Sequence, residues 1–121
     1  MGNNLKFNSS VCTSIKQSQR LLDLGLKPET ADMSYYILDY EPVLTIGMAQ
    51  VYRETIKGGK IIRKQYAEVI PAWSLHRLIE LYKDVEDISL WSLENVNYNR
   101  LIQCIRLAIK HGAFNKEYLK Q

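Results

Sequence analysis

Pro71-Ala72-Trp73-Ser74-Leu75-His76-Arg77-Leu78-Ile79-Glu80-Leu81-Tyr82 decides how this chain folds. Ser74 is a helix N-cap residue, and Trp73 before it can staple onto Leu78 four helical positions later. Leu75, Leu78, Ile79 and Tyr82 recur at i, i+3, i+4 and i+7, the spacing of one buried helical stripe. Upstream, Lys60 to Ile70 reads as a strand that Ile70 and Pro71 end. One short run thus joins sheet to helix and marks where a core forms.

A second stripe lies near the carboxyl end. Asn97 caps a helix running to about His111, with Gly112 as its stop and Tyr98, Leu101, Ile102, Ile105, Ala108 and Ile109 along one side. Phe114, Tyr118 and Leu119 are expected to tuck back onto the core. Towards the amino end, Ser14 and Gln17 have capping-box spacing, Ile15 to Leu24 is helix-forming, and Gly25 supplies the stop. Leu26 after that glycine can pack on Leu21. Residues 1 to 12 are polar and expected to fray.

Between these helices the pattern turns to strand. Pro28-Glu29-Thr30-Ala31-Asp32 reads as a turn, and Met33 to Tyr40 alternates before Glu41-Pro42 breaks it. Val43 to Ile56 has two readings, since Met48, Val51, Tyr52 and Ile56 also fall at helical spacing. The strand is favoured because Lys57-Gly58-Gly59-Lys60 makes a two-residue hairpin turn. That register places Glu54 opposite Arg63 and Ile56 opposite Ile61. The acidic stretch 84–87 reads as a solvated loop, and Ile88 to Leu93 as a short strand.

These elements predict a single α+β domain spanning residues 1–121. It has a three- to four-stranded antiparallel sheet with about three helices on one face. The sheet is the surface expected to receive both stripes. A chain of 121 residues with 46% hydrophobic content is large enough to fold without metals or staples.

Two blocks resemble small uncharacterised proteins encoded in phages and mobile elements of anaerobic gut bacteria. The first is Gln17-Ser18-Gln19-Arg20-Leu21-Leu22-Asp23-Leu24-Gly25-Leu26 with Thr30-Ala31-Asp32-Met33. The second is Ile70-Pro71-Ala72-Trp73-Ser74-Leu75 with Leu78-Ile79-Glu80-Leu81. The matching blocks cover about a third of the chain. The resemblance implies a genetic setting and no reaction.

No chemistry of its own is legible. His76 and His111 have no partner at ligand spacing, so no metal is indicated. His76 reads as solvated, and Ser74 is a cap rather than a nucleophile. Cys12 and Cys104 read as inert reduced thiols, Cys12 in the loose amino end and Cys104 as a small buried hydrophobe. No phosphate cradle, cofactor motif or membrane-length apolar run is present, and Met1 to Ser10 hold no apolar core of signal-peptide length. The expectation is a non-enzymatic cytoplasmic protein acting through protein contacts or self-association, with eight tyrosines suited to interfaces.

Charge placement carries the alternative. Arg53, Lys57, Lys60, Arg63 and Lys64 lie within twelve residues against Glu54 alone, a local net of +4 in a chain whose total is +3. On a two-stranded ribbon they are candidate contacts for nucleic acid, with Tyr52 and Tyr66 available for stacking. The competing reading is that these cations keep a protruding hairpin soluble and stop it pairing edge to edge.

Overall fold

A computed structural model describes residues 11–120, leaving most of the expected frayed segment outside the described residues. Helix α1 (Ile15–Asp23) opens with the reciprocal capping box: Gln17 N–H donates to Ser14 Oγ at 3.1 Å, and Ser14 N–H donates to Gln17 Oε1 at 2.9 Å. It closes at Gly25, whose φ of +104° suits glycine. Leu26 N–H then reaches the Leu21 carbonyl, and Gly25 N–H reaches that of Leu22, the paired bonds of a Schellman ending. A single 3-10 turn follows at Pro28–Thr30.

Strands β1 (Met33–Leu38), β2 (Glu41–Ile46) and β5 (Val69–Ala72) form one antiparallel sheet in the order β2-β1-β5. β1 and β2 meet through Asp39 and Tyr40, both at positive φ, so the hairpin turns there. Glu41-Pro42 was expected to break the chain and Ile70-Pro71 to end an arm, yet both prolines lie inside strands. The Ile37 N–H points to Glu68 on the β5 side, so its pairing with Pro42 across β2 needs no donor. By the same alternation, Ser34 faces Pro71 at a pair that makes no ladder bond. Each proline nitrogen therefore looks out from an edge, where its missing proton costs nothing.

Strands β3 (Tyr52–Lys57) and β4 (Lys60–Gln65) form a separate two-stranded ribbon. Every residue of both strands is exposed. Gly58 and Gly59, at φ +59° and +77°, make its tip, so the strand reading of this stretch holds over 52–57 and the helical alternative does not. At the root, Tyr66 N–H donates to the carbonyl of buried Val51 at 2.8 Å.

Helices α2 (Leu75–Tyr82) and α3 (Tyr98–Lys110) carry the two expected stripes. Ser74 and Asn97 cap them by accepting from the N–H of Arg77 and Arg100. The stripes meet each other rather than sharing the sheet. Leu78, Leu81 and Tyr82 pack with Leu101, Ile102, Ile105 and Ala108, joined by Leu21, Leu26, Trp73 and Phe114. None of these residues belongs to β1 or β2. The α+β architecture is as expected, but its largest apolar cluster is mainly helix on helix.

Trp73 is the pin between the layers. It is fully buried, and its indole N–H donates to Thr30 Oγ1 at 3.0 Å. Its backbone exchanges bonds with Thr13, whose hydroxyl pairs with that of Ser18 at 2.7 Å. The strand expected at 88–93 is replaced by two 3-10 turns, Ile88–Leu90 and Leu93–Asn95. Asp87 caps the first turn through the Ser89 N–H, and Glu86 accepts from Tyr82 Oη and Trp91 Nε1. The acidic stretch is therefore partly structural. The tail tucks in as expected, with Leu119 bridging Leu26 and Phe114 buried.

Candidate nucleic-acid interface

Opposed residues of an antiparallel pair share a face, and successive residues alternate between faces. The ribbon's register pairs Tyr52 with Gln65, Arg53 with Lys64, Glu54 with Arg63, Thr55 with Ile62, Ile56 with Ile61 and Lys57 with Lys60. It therefore divides the five candidate cations. Arg53, Lys57, Lys60 and Lys64 share one face with Thr55, Ile62 and Tyr66. Arg63 lies on the other with Glu54, Tyr52, Ile56 and Ile61.

The two faces differ in chemistry. Arg63 is bonded to Glu54 at 3.2 Å and its guanidinium lies 5.7 Å from the Tyr52 ring centre. Its charge is thus answered within the ribbon. On the opposite face, Arg53 sits directly across from Lys64, and Lys57 across from Lys60, with no carboxylate among the residues of that face. Like charges directly opposed destabilise a strand pair. Solubility alone requires no such arrangement, because the same lysines staggered or interleaved with acids serve it equally well.

Arg53 also holds Tyr66, with its guanidinium 5.5 Å from the ring centre. Around this pair the cationic face dips into an open hollow of about 290 Å³, lined by Arg53, Thr55, Ile62, Lys64, Gln65 and Tyr66. Thr55 and Ile62 were absent from the sequence-level candidates. The glycine turn that sets the register was sufficient to place them between the two cation pairs. A larger depression of about 480 Å³ runs from the ribbon root along Met48, Gln50, Val69 and Pro71 to Lys120.

Cys12, expected in a loose segment, is buried beside Tyr35, whose hydroxyl lies 3.4 Å from its sulfur and donates to the Thr13 carbonyl at 2.8 Å. Burial pushes the Cys12 thiol above its ordinary range, outweighing the Tyr35 hydrogen bond that pulls it down. Such a thiol is a poor nucleophile. Cys104 is half-buried against the helical cluster, and neither thiol is bridged. His76 is exposed beside Glu80 at 3.9 Å. Among the described residues no group of three or more His, Cys, Asp or Glu side chains is arranged to hold a metal ion. No helix among them is long and apolar enough to cross a membrane.

No protein-family model matches the chain, and neither a curated protein nor a solved structure matches it.

Proposed function

We propose that this protein is a non-enzymatic accessory factor of a phage or mobile element that binds nucleic acid through the cationic face of its ribbon. One observation carries the reading: Arg53 opposite Lys64 and Lys57 opposite Lys60, a repulsive ladder with no acid on its face. A polyanion laid along that face removes the repulsion and releases counterions. The setting rests on the resemblance of the 17–33 and 70–81 blocks. Binding is expected at low salt, with the logarithm of affinity falling linearly against that of salt. Replacing Arg53, Lys57, Lys60 and Lys64 by Ala should flatten that slope by about 3 to 4 on duplex DNA. Absence of binding to both DNA and RNA at low salt refutes the reading.

The opposite face supports a second reading, self-association. Ile56 and Ile61 are opposed there and are 81% and 71% exposed, beside a Glu54–Arg63 pair with no net charge. Two copies meeting through this face would cover its isoleucines and leave both cationic faces outward. Light scattering across a concentration series tests this reading. A particle mass that stays at one chain throughout, unchanged by Ile61→Lys, rejects it.

A further inference from the structure

Resting on the nucleic-acid reading, we infer that the ribbon takes single strands, and that the hollow on its cationic face seats one unstacked base against Tyr66. The hollow has apolar and aromatic lining from Ile62 and Tyr66, with cations on its walls from Arg53 and Lys64. A phosphate alone would need no apolar floor, and an apolar ligand alone would not be met by opposed cations. A nucleotide unit satisfies both, with a flat hydrophobic base and a charged backbone.

The form of the polymer follows from the shape of the surface. A duplex hides the faces of its bases by stacking and presents phosphates on its outside, so it can lay phosphates beside the cations but has no base face to offer the apolar floor. Single strands expose those faces, and stacking on aromatic rings or guanidinium planes is how they are held without sequence readout. Tyr66 is 49% exposed, and the Arg53 guanidinium already lies over its ring. An entering base extends that stack. The next phosphates along the strand then meet Lys64 on one side and the Lys57–Lys60 pair towards the tip. Arg53 and Lys57 are separated by about 13 Å of strand at the usual rise per residue.

The test is fluorescence anisotropy with a labelled 12-nucleotide single strand and the same sequence as a duplex. Wild type is compared with Tyr66→Ala, Tyr66→Phe and the Lys57→Ala/Lys60→Ala pair. The single strand should bind more tightly than the duplex, and a free mononucleotide should compete only weakly. Tyr66→Ala should weaken the single strand by about 5- to 150-fold, the range for losing one base–aromatic stack, at unchanged salt slope. Tyr66→Phe should retain binding, because the ring and not the hydroxyl does the stacking. The lysine pair should instead lower the slope by about 1.4.

Photo-crosslinking of wild type to a strand bearing 5-iodouracil gives a readout independent of how the variants fold. The adduct should map to Tyr66. Equal affinity for both forms, or adducts that avoid Tyr66, overturns the base-seating site while leaving nucleic-acid binding in place. Failure of both forms to bind overturns the underlying reading as well.

Discussion

Asp32 accepts both the backbone N–H and the hydroxyl of Ser74, at 2.8 and 2.5 Å, tying the entrance of the first sheet strand to the start of α2. The same serine oxygen accepts from the Arg77 N–H, so one hydroxyl caps the helix and docks it. Arg77 Nε completes the junction by donating to the Thr30 carbonyl at 2.7 Å.

Ser74→Ala should therefore cost more than the loss of an ordinary cap. It removes the cap and leaves the Asp32 carboxylate short of one donor, for a combined loss of about 1 to 3 kcal/mol. Ser14→Ala, at an exposed cap, should cost about 1 kcal/mol or less. Urea unfolding of the two variants checks the ordering, and equal losses would show that the Asp32 bond contributes nothing.

Core and ribbon should respond oppositely to the same chemical change. Leu78→Ala empties a fully buried position and should cost about 2 to 5 kcal/mol. Ile61→Ala trims a side chain that stands in water and should change global stability by less than about 0.5 kcal/mol. Denaturation midpoints at constant slope decide it.

Tyr40 occupies the left-handed region at φ +68° while almost wholly exposed. A non-glycine residue there costs roughly 1 to 2 kcal/mol. Tyr40→Gly places an Asp-Gly dipeptide in a turn that favours it, and should raise the unfolding free energy by about 1 kcal/mol. A stability loss would mean that the freedom glycine adds to the unfolded chain outweighs the relieved strain.

Alkali should destabilise the fold in two stages. Burial holds the Cys12 thiol and the Tyr35 and Tyr82 hydroxyls above their ordinary values, and the bonds to Cys12 and to Glu86 push the two tyrosines further up. A raised folded value means that stability is complete below the unfolded value and drains away as pH climbs towards the folded one. The urea midpoint should hold level through neutral pH, fall above about pH 8.5 and fall faster above about pH 10. Cys12→Ala should abolish the first stage and soften the second, because it also removes the bond that helps raise Tyr35. An unchanged first stage in that variant would exclude the thiol as its source.

The elements legible in the sequence are those whose causes are local. Ser14, Gly25, Ser74, Asn97 and Gly112 each act within one turn of helix, and all five mark the helix ends. Gly58-Gly59 likewise sets the ribbon register from a tetrapeptide. Pro42 and Pro71 are misread because their tolerance depends on which neighbour a backbone nitrogen faces, which is a property of the assembled sheet. Ile88 to Leu93 alternates as a strand would, but Asp87 captures the Ser89 N–H and turns the chain instead.

The destination of the two helical stripes is not legible, because a stripe states that a partner exists and not which one. The candidate site is a case in between. The Glu54–Arg63 pairing is expected from the turn, and it already separates Arg63 from the other four cations. The hollow is a property of the folded ribbon, since its lining includes Gln65 as well as Tyr66, one residue beyond the ribbon's last pair.

The bond that closes Val51 against Tyr66 brings the two ends of the ribbon together, so that they form a socket from which the finger projects. An engineer can use the same socket: cutting out 52–65 and splicing in a short linker should yield a folded handle onto which other β-fingers are grafted.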